Sequence, residues 1–364
     1  NCEYIVVYAS YDDAYRVHPR GQLRINSERH RIKDYIRYTD YETAQVGVKY
    51  TDKNCTWERT TFTSLADGVT VTKIEKSSNN APVNITLSYD DISTMANYSE
   101  GDEVNIKYKK LADEDKAYLA LVAHYPDYEK SELKNGGYAT RTYVLNIGGT
   151  LSVTQADAPK DEQYAGDSQP KLTVSGADEV YLITVTGRDY NMGELSVFAS
   201  QSGCALIDLL YNRTTDFAKK YSAEGKFNYS NALDAHLAVY QPQFNAVTLT
   251  LKDGISEKSN EKLLRKQRFK KKLDPALSQR SYYAGRYAYL CCSGYSAPRL
   301  YGMWTGEWNT GWGSKYTMDA NVNLQTSSMN TGNITSSPIG YAYNILRKLP
   351  DWLDTDLPTP SKPP

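Results

Sequence analysis

Histidine is scarce, apolar runs are short and neither charge is in excess, and each shortage removes a class of function. Four histidines, His18, His30, His124 and His236, are scattered over 364 residues. A histidine-based catalytic triad or metal centre is therefore not expected. Five cysteines stand at positions 2, 55, 204, 291 and 292, and none forms a CxxC pair or a Cys/His spacing of the zinc type. Cys291 and Cys292, at the end of a helix-like run, read as small core residues. Cys2 and Cys55 could pair as a disulfide, which the sequence leaves open. No metal or cofactor is expected. No segment approaches the ~18 consecutive apolar residues of a membrane span, and mean hydropathy is −0.61, so membrane insertion is not expected. A net charge of −1 gives no electrostatic pull toward nucleic acid or an anionic bilayer.

Phenylalanine is also rare, 6 residues against 32 tyrosines. Tyrosine suits half-exposed pleated surfaces, which is the stronger reading, and also the walls of sugar sites, where a flat apolar face meets a hydroxyl. N-x-[ST] sequons at Asn54, Asn84, Asn97, Asn212, Asn228 and Asn333 permit glycosylation, and a secreted or cell-surface location is expected. Asn1-Cys-Glu-Tyr opens straight into strand-like sequence with no visible signal peptide. The expectation is a processed start or an internal piece.

At this length one hydrophobic core is not enough, so at least two domains are expected. From residue 3 to about 190 short alternating runs follow one another. They include Tyr4–Tyr8, Gly21–Ile25, Ala44–Tyr50, Thr56–Thr63, Val69–Ile74, Val83–Tyr89, Ala117–His124, Tyr138–Ile147 and Val180–Thr186, most of them separated by Asp, Asn, Gly or Ser. This pattern predicts an antiparallel β-sandwich over 1–200, with its N-terminal part missing. The period changes near residue 205. Leu233, Leu237 and Tyr240 share a helical face after Asn228, and Ala246–Leu251 reads as a short strand. The basic stretch holding Lys262, Arg265, Lys266, Arg268, Lys270, Lys271 and Lys272 reads as a solvated face, since acidic residues flank it. Residues 201–273 are thus a helical and strand linker. Asp274-Pro-Ala-Leu starts a helix with a capping residue and a proline in its first turn, running to Ser293-Gly294. A second helix is expected within Ile339–Leu349, and 351–364 form a Pro-rich tail.

Residues 300–325 carry the chemistry. Trp304, Trp308 and Trp312 fall within nine positions of a Gly-rich loop, where they either line a hollow or fold under as a plug. Indoles suit the C–H faces of a sugar. If Asn321-Val-Asn323 is extended, both carboxamides face one side and can grip a water or a sugar hydroxyl.

The run Tyr282-Tyr-Ala-Gly-Arg-Tyr-Ala-Tyr-Leu, then Leu300-Tyr-Gly-Met-Trp, Trp312-Gly-Ser-Lys-Tyr-Thr and Asn321-Val-Asn-Leu-Gln resembles glycoside hydrolase family 95. There a "GRYLL" helix leads into "LQGxWN…PPWGSxYTxNIN". The resemblance spans roughly residues 18–350 and is specific in 282–325. It implies a β-sandwich followed by the first helices of an (α/α)6 toroid over 274–350, incomplete in this chain. It also implies inverting hydrolysis of terminal α-L-fucosyl or α-L-galactosyl residues, with fucosylated glycans as partners. By motif, Asn321 and Asn323 carry over as the pair that orients the attacking water, and Trp304, Trp312 and Tyr316 as the sugar subsite.

Thr305 replaces the family's Asn, Thr310-Gly311 its Pro-Pro, and Met318-Asp-Ala320 inserts two residues before the Asn pair. The acid and base carboxylates are expected outside this chain, in the remainder of the catalytic domain, so the chain alone is expected to be inactive. Glu307 and Asp319 are the substitutes at hand, though an exposed loop acid and a turn-forming Asp explain them better. The alternative is a non-catalytic glycan-binding or wall-associated protein that keeps the sandwich and pocket. An adhesive or structural sandwich protein would leave the Trp loop and the Asn pair without a purpose.

Overall fold

The computed structural model describes residues 2–9, 18–27, 31–53, 55–77, 81–90, 107–124, 137–156, 169–188, 203–292 and 320–334, with 342, 346, 349 and 350. The chain folds as two compact units. The first is chiefly Asn1–Asp40 with Ala44–Val239, and the second Tyr41–Thr43 with Tyr240–Thr305 and Gly311–Pro364.

The first unit is the predicted antiparallel sandwich. Its strands are β1 (Cys2–Ala9), β2 (His18–Ser27), β3 (Lys33–Asp40), β4 (Gln45–Thr51), β5 (Thr56–Ser64), β6 (Val69–Lys76) and β7 (Val83–Asp90). After them come β8 (Lys107–Asp113), β9 (Tyr118–His124), β10 (Gly137–Ile147), β11 (Thr150–Ala156), β12 (Gln169–Ala177) and β13 (Glu179–Arg188). They form a five-stranded sheet, β1-β2-β7-β12-β11, and an eight-stranded sheet, β3-β4-β5-β6-β13-β10-β9-β8. The chain leaves the larger sheet at Gly148-Gly149, both with left-handed φ (70° and 69°). A Cβ on Gly149 would stand 2.3 Å from the Ser175 carbonyl oxygen, so only glycine fits there.

Strand alternation explains the two cores. In β9, Leu119 and Leu121 point into the space between the sheets, with Val144, Leu182, Leu87 and Leu172. Ala120 and Val122 point the other way, joining Ala139, Ile183 and Val185. The second face is not solvated. Helix α1 (Gly203–Lys220) covers it with Leu206, Ile207, Leu210, Phe217 and Ala218, spaced as one apolar stripe. Strands such as Tyr118–His124 therefore read as nearly unbroken apolar runs, as sheets covered on both faces do. Helix α1, which falls in the expected linker 201–273, packs as part of the sandwich unit. Cys55 is buried, and the side chain of Cys2, with which the sequence left a pairing open, lies outside the described residues.

After a two-strand hairpin, β14 (Ser222–Ala223) and β15 (Lys226–Phe227), comes α2 (Tyr229–Phe244). Asn228 caps it, its Oδ1 accepting from Asn231 N–H at 3.1 Å. Its buried stripe is Ala232, His236 and Tyr240, flanked by half-buried Leu233 and Leu237. Two expectations are corrected beyond it. Residues 246–251 join no sheet. Their alternating Val-Thr-Leu-Thr-Leu pattern resembles a strand, yet side chains satisfy the backbone. Leu249 N–H donates to Tyr283 Oη at 3.2 Å and Leu251 N–H to Gln279 Oε1 at 2.9 Å. Cys291 is exposed rather than buried in a core.

The basic stretch is α3 (Asn260–Gln267) and the turn behind it; Ser259 caps the helix and Leu263 is its buried residue. Helix α4 (Pro275–Cys292) begins as predicted, with Ala276 N–H on Asp274 Oδ1 at 3.1 Å. The Lys270 ammonium, 3.0 Å from Asp274 Oδ2, holds that carboxyl below its ordinary range. Ala342, Leu346 and Leu349, the described residues of the helix expected in 339–349, are helical.

Candidate functional site

The aromatic helix of the sequence motif is α4, and its Gly-Arg-Tyr centre has a plain structural task. Arg286 is buried at 6 % exposure. Its Nε donates to the Phe244 carbonyl at 2.7 Å, its Nη1 to the Gly332 carbonyl at 2.6 Å, and its Nη2 to the Gln243 carbonyl. One guanidinium thus caps the last turn of α2, where carbonyls lack intrahelical partners, and pins the turn at 328–334. The planar fork of arginine suits three such acceptors at once. Gly332 allows the approach, since a Cβ there would meet the Ser328 carbonyl oxygen at 2.8 Å and Arg286 Nη1 at 3.4 Å. Tyr289 reaches the same turn, its hydroxyl 3.4 Å from Met329 Sδ.

That turn follows α5 (Asn321–Thr326), which holds the asparagine pair. The extended geometry expected of Asn321-Val-Asn323 is corrected here: the segment is helical, Leu324 N–H bonding to Ala320 O at 2.8 Å. Residues two apart on a helix lie about 200° apart around the axis. The side chains of Asn321 and Asn323 therefore leave α5 in different directions, both exposed. Thr326 is buried on this helix, with Ile334 buried beyond it. Trp304, Trp308, Trp312 and Tyr316 lie outside the described residues, as do Glu307 and Asp319.

Sequence reasoning passed over Arg286 as a residue with a task of its own, although an arginine amid the tyrosines and alanines of a half-buried helix was the available signal. It also passed over His236, buried at 1 % exposure. The His236 Nδ1 accepts from Leu65 N–H at 3.2 Å, and its ring lies 5.5 Å from that of Phe62. Among the described residues no group of three or more His, Cys, Asp or Glu is placed to hold a metal. No described helix is long and apolar enough to cross a membrane.

Comparison with known proteins bears on this arrangement. Residues 5–193, just over half of the chain, match the model described as glycosyl hydrolase family 65, N-terminal domain. Residues 228–338 match the glycosyl hydrolase family 95 catalytic domain, in agreement with the resemblance read in 282–325. A probable alpha-fucosidase A of Aspergillus niger is 29% identical over 157 residues, which are 41% of this chain and 18% of that protein. The chain thus matches only a minor part of that relative. Among solved structures, a putative kojibiose phosphorylase from human microbiome is 12% identical with a TM-score of 0.41, over 83% of this chain and 34% of that one. A bacterial glucoamylase complexed with acarbose is 10% identical with a TM-score of 0.46, over 96% and 52% respectively.

Proposed function

The chain belongs to the family of the glycosyl hydrolase family 65 N-terminal domain and continues into a family 95 catalytic segment, and from that premise we propose that the protein is a glycoside hydrolase acting on terminal α-L-fucosyl, or α-L-galactosyl, residues of glycans. The carrying observation is the family 95 match over 228–338, because it encloses all five residues assigned to the sugar site from the sequence. In this reading Trp304, Trp312 and Tyr316 form the sugar subsite, and Asn321 and Asn323 orient the attacking water. Since α5 sends the two amides in different directions, each contacts the water and sugar hydroxyls separately rather than as a side-by-side pair.

Inversion requires one carboxylic acid at the leaving oxygen and one carboxylate activating water on the opposite face, about 6.5–9.5 Å apart. We assign both to the catalytic domain outside 274–350, so the isolated chain does not turn over. The reading is tested by incubating the natural protein with a 2′-fucosylated oligosaccharide and following the first turnovers by proton NMR. Free fucose appearing first as the β-anomer supports it. Bound glycan with no released sugar would instead favour the glycan-binding alternative. We further place the protein outside the cell, on the strength of its six sequons. A mass loss on endoglycosidase treatment of the natural protein supports this, and an unchanged mass removes it.

A further inference from the structure

On the outer face of the eight-stranded sheet, where the hairpin of β14 and β15 leads into α2, lies a cavity of about 230 Å³. Lys73, Tyr181, Lys226, Phe227, Asn228 and Ser230 are among its lining residues. All belong to the sandwich unit. We propose that this cavity is a binding site for a single neutral pyranose unit, carried by the sandwich itself.

Its floor is aromatic and fixed. The Phe227 ring meets Tyr181 edge-on at 5.2 Å, and Tyr229 stacks on Tyr181 at 6.3 Å and meets Phe62 edge-on at 5.4 Å. The tyrosine hydroxyls are already engaged: Tyr181 donates to Glu179 Oε2 at 2.6 Å, and Tyr229 donates to Thr60 Oγ1 at 3.4 Å while accepting from Gln45 Nε2 at 2.7 Å. The hairpin above turns through Glu224 and Gly225, both with left-handed φ (53° and 76°). Such a tight two-residue turn leaves little freedom to lose on binding.

Charge favours a neutral occupant. The Lys73 ammonium sits 2.6 Å from Glu75 and 3.7 Å from Glu179, so its charge is compensated before any ligand arrives. Lys226 makes no ion pair among the described residues, but with Glu224 on the same hairpin and Glu75 and Glu179 at Lys73 these groups carry no net positive charge. The hydrogen-bonding groups left over are donors. Among the described residues the side chains of Lys226 and Ser230 make no hydrogen bond or ion pair, and Asn228 uses only its Oδ1, as the cap of α2. The rings pack on one another beneath the cavity and hold its rim rigid, while ammonium, amide and hydroxyl groups on that mainly polar rim can bond the hydroxyls of a sugar ring. The volume lies below the ~300–1,000 Å³ of pockets that enclose drug-sized ligands, which limits the occupant to about one small ring.

The site is independent of the catalytic assignment, so its test is too. The full chain is titrated with L-fucose, D-galactose, D-glucose and, separately, inorganic phosphate, using saturation-transfer NMR and amide shift mapping. We expect saturable binding of at least one sugar in the millimolar range, with shifts centred on 226–230. Lys226→Met and Ser230→Ala, both at exposed positions where folding is spared, should each weaken it by about fivefold to tenfold. The proposal is overturned if no sugar saturates, if both variants bind as the parent does, or if phosphate displaces the sugar from the same residues.

Discussion

Arg286 and Gly332 are joined by a hydrogen bond of 2.6 Å across 46 positions of sequence. It ties the helix of the Gly-Arg-Tyr motif to the turn that follows the asparagine helix. Replacing Arg286 by Met strands the Gln243, Phe244 and Gly332 carbonyls in a dry site, and unfolding stability should fall by about 3–5 kcal/mol. Arg286→Lys should recover only part, because a single ammonium cannot match three separated acceptors. Thermal melts of the full chain check both.

Arg141 presents the opposite case. It is fully buried between β10 and α1, with its guanidinium carbon 4.5 Å from the ring centroids of Tyr118 and Tyr211 and 5.8 Å from that of Tyr143. Nη1 bonds to Thr214 Oγ1, while Nε and Nη2 have no hydrogen-bond partner among the described residues. Burial presses its pKa down to about 10, against smaller opposing effects of the tyrosines. A folded-state value below the unfolded one means that the charge opposes folding at neutral pH, and the cost is relieved as pH rises through about 10. Arg141→Met should therefore leave stability at neutral pH unchanged or raise it. Arg141→Ala, which leaves a void, should lower it by about 2–5 kcal/mol. Urea unfolding midpoints distinguish the two.

Acid should loosen α1 from the sheet at one identifiable carboxylate. Burial alone would raise the pKa of Asp67, but hydrogen bonds from Lys220 (2.7 Å), Ser64 (2.9 Å) and Tyr221 (2.9 Å) outweigh it and hold the group below its ordinary value. A lowered carboxyl stabilises the fold above its ordinary value of 3.8 and loses that contribution as pH falls through the folded value. Asp67→Asn should cost about 1 kcal/mol at pH 7. It should also remove the corresponding acid-dependent loss seen in the parent below pH ~4, as read by chemical denaturation at a series of pH values.

Asn321 and Asn323 are exposed on α5, so removing their amides should leave folding intact. In the natural protein each Asn→Ala change should reduce turnover of a 2′-fucosylated substrate by about 10²–10³ with little effect on KM, as for a donor that matters mainly in the transition state. Unchanged turnover with both replaced would remove them from the mechanism.

The sandwich was legible because alternation is a local signal: β5, β6, β7, β10 and β13 fall where short alternating runs stand in the sequence. Which sheet each strand joins was not legible, since pairings such as β2 with β7 and β7 with β12 are set by long-range packing. The same locality misleads at 246–251, where an alternating pattern meets the hydroxyl of Tyr283 and the amide of Gln279 instead of a neighbouring strand. At Asn321-Val-Asn323 nothing local separates strand from helix: two asparagines around a valine favour neither. Arg286 was legible as part of a motif, but its task depends on where α2 ends and where the turn at 332 returns, which no spacing in α4 encodes.

Helix α1 also decides where the protein can be cut. A recombinant fragment stopping at residue 200 would strip the cover from Val71, Val122, Ile183 and Val185, leaving a greasy strip on an otherwise finished sheet. Such a fragment should clump during purification, whereas one extended through both α1 and α2 keeps its coat, including Tyr229 and His236 over Phe62, and stays dispersed.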